Sequence, residues 1–234
     1  MSQSKFDSLK EMIISVAEAL GPDLRANTAF VGGVTTGLLI TDDFTRQSVR
    51  ATDDVDLITS ALGYFQHAQF EEELRHLGFK DHIDDGVICR KLLGNLKVDF
   101  MPTDDSLGFT NRWYQSALAT AQDYEIKDGV IIRLITPIYF IGTKLEAWNG
   151  RGNGDMLESR DLEDIFNLIN GRESLIEEIR KGDTALRDYI SQEMKKLSRL
   201  DDYEYLLQAT TNGESARGDI VHARVIEIIG LSHG

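Results

Sequence analysis

The run Thr52-Asp53-Asp54-Val55-Asp56-Leu57-Ile58 constrains the fold of this chain more than any other stretch. Apolar Val55 and Leu57 alternate with Asp54 and Asp56, and successive side chains of a strand point to opposite faces. The pattern predicts a strand over 54–59 that sends its apolar residues into a core and sets both carboxylates side by side. Two like charges on one patch repel each other unless a cation lies between them. Oxygen ligands of this hardness suit Mg²⁺, which completes its octahedron with phosphate oxygens and water. A second alternating segment, Leu96-Lys97-Val98-Asp99-Phe100-Met101, supplies a third acid. Asp99 joins the pair if the two strands are neighbours in one sheet.

Periodicity places further elements around these strands. Phe6, Leu9, Ile13, Val16 and Leu20 recur at helical steps, and Gly21-Pro22 closes the pattern. A short apolar strand over 29–31 runs into Gly32-Gly33 and then into a helical stretch to Leu39. The polar segment 41–52 reads as a loop, and 64–77 as an amphipathic helix. Two extended runs, 87–93 and 96–101, flank Gly94-Asn95, which signals a hairpin with Asp99 on its second strand. A helix is expected over 111–121 and a strand over 130–135. Pro137 suits the first turn of a helix, where its missing N–H costs nothing. From there strands give way to six helical stretches, over 138–148, 159–168, 174–180, 184–197, 201–209 and 219–229. The expectation is an α/β (α+β) chain, with an α/β domain over 1–135 and a helical domain over 136–234.

Bulk properties remove several function classes. The chain has 234 residues and a formal charge of -14, which opposes broad attraction to nucleic acid, since that affinity comes from cations neutralising phosphates. The densest basic cluster, Met194 to Arg199, reads as a solvated helix face. No apolar stretch reaches membrane-spanning length, so no membrane partner is expected. The first residues lack the apolar run of a signal peptide, and the single cysteine, Cys89, rules out an intramolecular disulfide. A reducing, cytoplasmic setting follows as the expectation. Cys89 sits in an apolar strand and reads as core. The five histidines show no metal-ligand spacing, and Trp113 and Trp148 read as packing residues.

Gly32-Gly33 between a strand and a helical stretch has two readings. One is a turn that needs glycine dihedrals. The other is a backbone that a phosphate group can approach closely, with Thr35 and Thr36 as hydroxyl donors. No Gly-Lys-Ser/Thr follows, so the Walker pattern is absent. Downstream, the order is Arg50-Ala51-Thr52-Asp53-Asp54-Val55-Asp56-Leu57, then Asp99, then Gly142-Thr143-Lys144-Leu145, then Ser159-Arg160-Asp161-Leu162-Glu163-Asp164. This ordered set resembles the nucleotidyltransferase superfamily of the DNA polymerase β type, and more narrowly its AbiE-type toxin members, over roughly 30–165. Those proteins show Gly-Gly, Arg-x-Ser/Thr-x-Asp-x-Asp-Leu, a helical lysine and an Arg-Asp-Leu-x-Asp segment. The glycine-rich stretch 150–155 is longer than that pattern, so either Arg151 or Arg160 takes its arginine position.

The resemblance implies a nucleotidyltransferase fold: a mixed sheet flanked by helices, followed by an all-helical C-terminal region. It implies Asp54, Asp56 and Asp99 as metal ligands and catalytic acids for Mg²⁺ or Mn²⁺. Gly32, Gly33, Thr36, Arg50 and Lys144 would contact a nucleoside triphosphate, with Asp161 supporting Lys144. Read without the resemblance, Arg50 pairs with Asp53 or Asp54, Lys144 is a lysine lying along an apolar helix face, and Asp161 and Asp164 cap a helix. The implied reaction moves a nucleoside monophosphate from the triphosphate to an acceptor hydroxyl on RNA, protein or a small molecule. An antitoxin is the implied partner if the chain is the toxin of an abortive-infection pair. The alternatives are an aminoglycoside-type small-molecule nucleotidyltransferase and a non-catalytic nucleotide-binding module.

Overall fold

Among the described residues, the alternating runs assemble into one mixed sheet of seven strands. They are β1 (Thr28–Val31), β2 (Asp54–Thr59), β3 (Phe79–Asp81), β4 (Arg90–Leu93), β5 (Leu96–Pro102), β6 (Gln122–Lys127) and β7 (Val130–Leu134), in the order β3-β4-β5-β2-β1-β7-β6. Pairings β2–β5 and β1–β7 are parallel and the rest antiparallel. This computed structural model describes residues 4–60, 64–82, 88–105, 111–151 and 154–232. Val87, where a strand was expected to begin, and the central Gly152-Asn153 of the glycine-rich stretch lie outside the described residues.

In chain order the helices are α1 (Lys5–Asn27), α2 (Thr36–Leu39), α3 (Asp43–Gln47), α4 (Tyr64–His76), α5 (Tyr114–Thr120) and α6 (Pro137–Gly150). Then come α7 (Arg160–Gly171), α8 (Leu175–Lys181), α9 (Thr184–Leu197), α10 (Tyr203–Thr210) and α11 (Ser215–Ile229). Helices thus flank a mixed sheet and follow it, as the sequence predicts. None is long and apolar enough to cross a membrane among the described residues.

The chain divides into two compact units, Met1–Thr35 with Ala51–Thr136, and Thr36–Arg50 with Pro137–Gly234. In the first, β1 is buried along its whole length and β2 buries Val55, Leu57, Ile58 and Thr59. Phe100 on β5 stacks edge-on against Phe79, with ring centroids 5.5 Å apart. Each such side chain stabilises the fold by about 1.5–3 kcal/mol when fully buried. A one-residue slip of β2 would send Val55 and Leu57 to the acids' face, so core packing fixes which way Asp54 and Asp56 point.

The second unit is built on α7. Ser159 caps it, its Oγ accepting from Leu162 N at 3.3 Å. At the other end, the N–H groups of Thr41 and Asp42 both donate to Gly171 O, at 3.0 and 2.9 Å. A Cβ on Gly171 would stand 2.6 Å from Ile40 Cγ2, so glycine is what lets the two segments meet.

Three local differences from expectation have physical causes. Segment 41–52, read as loop, contains α3, which Asp42 caps by accepting from Thr45 N at 2.9 Å. Strands β3 and β6 escaped notice because both lie at the sheet's edges. Each buries a single side chain, Phe79 or Ile126, too few to show a period. Helical structure in α1 resumes after Leu20 across a kink at Gly21, whose φ of 69° no helix interior adopts.

Candidate metal centre

Parallel pairing of β2 and β5 sets Asp56 opposite Asp99 and Asp54 opposite Lys97. Residues two apart on β2 share a face, and so do register partners on neighbouring strands. The three carboxylates therefore converge, each offering an oxygen within 4.8 Å of the others. Asp99 is buried, and Asp54 and Asp56 are half-buried. The Thr52 hydroxyl donates to Asp54 Oδ1 and orients that carboxylate. Lys97 turns to Asp53, with Nζ to Oδ2 at 2.8 Å, and its ammonium holds the Asp53 carboxyl below the usual range.

Gly32 closes one side of this cluster. Its φ is +73°, a conformation that disfavours side-chain-bearing residues, and a Cβ there would stand 2.6 Å from Asp56 Cγ. The turn it begins is tied back by Thr35, whose Oγ1 and N both donate to Gly32 O, at 2.8 and 3.2 Å.

Arg90 was not singled out from the sequence, yet it sits at the centre of the charges. It faces Asp99 across the β4–β5 hairpin, donating from Nε and Nη2 to the two carboxylate oxygens at 2.7 Å each. Nη2 also lies 3.7 Å from Asp54 Oδ2. A signal for it existed. A two-residue turn at Gly94-Asn95 pairs Leu93 with Leu96 and hence Arg90 with Asp99. At formal charge, three carboxylates and one guanidinium sum to two negative charges, which a single divalent cation would balance. The donors are all oxygens, as Mg²⁺ and Mn²⁺ prefer, and the guanidinium shows that the cluster attracts positive charge. The residues fit such an ion. Cys89, next to Arg90, is buried and takes no such part. Burial first, and then the Asp99 charge, push its thiol up to about 12.

Arg50 and Lys144 come together in the second unit. Arg50 grips Asp164 with both prongs, Nε to Oδ1 at 3.1 Å and Nη2 to Oδ2 at 2.9 Å. Lys144 Nζ lies 2.8 Å from Asp164 Oδ2 and 3.1 Å from Asp161 Oδ1. Arg151 completes the chain of charges at 2.5 Å from Asp161 Oδ2. The Asp164 side chain is only 1% exposed and that of Lys144 10%. Burial opposes the lysine's charge, but Asp164 and then Asp161 outweigh it, so its pKa lies above the ordinary lysine value. Asp161 supports Lys144 as the sequence suggested, and Asp164 ties Lys144 to Arg50. Thr36 is buried, and its Oγ1 has no hydrogen-bond partner among the described residues. Gly33 lies in the 3₁₀ turn Gly33–Thr35 and is buried.

In comparisons with known proteins, no family model matches the chain and no curated protein matches it.

Proposed function

We propose that this chain is a metal-dependent nucleotidyltransferase that moves a nucleoside monophosphate from a triphosphate to an acceptor hydroxyl. One observation carries the reading: Asp54, Asp56 and Asp99 converge on one sheet face, each offering an oxygen within 4.8 Å of the others. Mg²⁺ or Mn²⁺ held there would neutralise charge on the α-phosphate and the departing pyrophosphate. The acceptor oxygen bonds to the α-phosphorus, the α–β bridging P–O bond breaks, and pyrophosphate leaves. Asp99 takes the acceptor's proton, Asp54 and Asp56 supply metal ligands, and the side-chain-free Gly32-Gly33 turn admits phosphate to the cluster. For Thr36, Arg50 and Lys144 the triphosphate role rests on the resemblance.

The narrower reading, a cytoplasmic toxin that modifies RNA or protein and is held in check by an antitoxin, rests on the AbiE-type motif order. A small-molecule acceptor is its counterpart. Incubating the protein with labelled triphosphates, Mn²⁺ and each acceptor class, followed by mass spectrometry, tests both. Transfer that disappears with Asp54→Ala and Asp56→Ala is the expected result. Failure of the wild-type protein to bind any triphosphate with Mg²⁺ or Mn²⁺ would sink the enzyme reading.

The Arg90–Asp99 pair favours a second reading, a non-catalytic nucleotide-binding module whose third acid is committed to a structural ion pair. Triphosphate binding without turnover on any acceptor would support that reading.

A further inference from the structure

The position of Arg90 raises a question about the cluster before any metal arrives. Its guanidinium engages both oxygens of Asp99 at 2.7 Å and lies 3.7 Å from Asp54 Oδ2. The Arg90 and Asp99 side chains are 14% and 10% exposed, so solvent screens the pair only weakly. Forked guanidinium–carboxylate bonds are among the stronger hydrogen bonds in proteins. They also occupy one acceptor site on each oxygen through which Asp99 would ligate an ion, and set a positive charge against those oxygens.

We propose that Arg90 is the resident counter-ion of the acidic cluster, and that a divalent cation binds by taking Asp99 from it. Arg90 is then a positioning residue that acts through Asp99 and sets metal affinity. The inference rests on the metal-dependent reading above. Hairpin register puts the two side chains on one face, so the competition is built into the β4–β5 turn. Without metal, Arg90 offsets the repulsion among the three acids. With metal, the ion takes over that task and the guanidinium must release Asp99.

The test is a Mn²⁺ titration of the full chain without nucleotide, read by electron paramagnetic resonance of free Mn²⁺ and by calorimetry. Arg90→Gln removes the charge at similar length, and the expected result is tighter Mn²⁺ binding by about tenfold, the scale of one charge-assisted hydrogen bond. Arg90→Lys keeps the charge but loses the fork, and falls between the two. In an Asp99→Asn background the Arg90→Gln gain shrinks to about twofold or less, because the contested ligand is gone. Equal or weaker binding by Arg90→Gln overturns the proposal, and so does an equal gain in both backgrounds, which would reflect only the lost charge. If Arg90→Gln folds only with Mn²⁺ present, the Arg90→Lys titration decides: binding no tighter than wild type overturns the proposal. Absence of Mn²⁺ binding by every protein, wild type included, instead removes the metal-dependent reading itself.

Discussion

Gly32 and Asp56 stand so close that no side chain fits between them: a Cβ on Gly32 would fall 2.6 Å from Asp56 Cγ. The glycine belongs to the turn after β1 and the acid to β2, whose register partner for Asp56 is Val31. Backbone shape and carboxylate position are therefore one property at this corner.

Gly32→Ala should injure the fold and the acidic cluster together. A side chain at φ +73° is strained by about 1 kcal/mol or more, and the clash must move either Asp56 or the turn. The expected outcome is a melting temperature lower by several degrees and loss of Mn²⁺ binding. Full Mn²⁺ affinity in a normally stable Gly32→Ala protein would contradict the close approach.

Lys144 serves the second unit's stability whatever it does for a ligand. Lys144→Met leaves Asp161 and Asp164 buried with one cation fewer, though Arg151 and Arg50 still pair with them, and the lost charge-assisted bonds should cost about 1.5–3 kcal/mol. Chemical denaturation of Lys144→Met beside Lys144→Met/Asp164→Leu checks this. The double variant should be no more stable than the single one, since removing Asp164 as well takes away the carboxylate that Arg50 grips. A Lys144→Met protein as stable as wild type would show that the network contributes little.

Asp42 gives the second unit an acid-sensitive joint. The Thr45 hydroxyl above all, against opposing burial and with help from Thr45 N–H and Arg217, lowers its carboxyl from 3.8 to about 2. A lowered pKa means the ionised form favours the fold, so this stability is present above pH 3.8 and is lost as pH falls through about 2. Asp42→Ala removes the cap of α3 and should cost about 0.5–2 kcal/mol at neutral pH. The variant's stability should also fall less steeply than wild type between pH 4 and 2. Parallel acid denaturation curves for the two proteins would rule the joint out.

Cys89 should resist thiol reagents. It is buried, with its thiol pushed up to about 12, so little thiolate exists at neutral pH. Ellman's reagent should modify native protein far more slowly than protein unfolded in guanidinium. Equal rates would mean the β4 end of the hairpin opens readily.

Much of the site was legible in the sequence because it is written in strand alternation. Val55 and Leu57 dictate the acids' face, and Gly94-Asn95 dictates the hairpin that carries Asp99. What escaped depended on pairings at a distance. The parallel register of Asp56 with Asp99 was only a condition until the strands were seen as neighbours. Arg90 drew no attention because a charged residue on a strand is unremarked until the acid across from it is known. Arg50 meets Asp164 across 114 positions, a pairing no local pattern encodes. Edge strands β3 and β6 carry too little buried surface to leave a period.

Residues Thr36–Arg50 leave the first unit, join the second, and hand the chain back at Ala51. A fragment beginning at Pro137 would lack α2, α3 and the arginine that clasps Asp164, and the Gly171 carbonyl would lose the Thr41 and Asp42 donors. A fragment ending at Thr136 would carry that stretch with nothing to fold against. Cutting the chain at its most obvious seam should therefore yield two poorly folded pieces. Mixed in one tube, the pieces could complement each other, because the excursion is a thread that stitches the first half to the second.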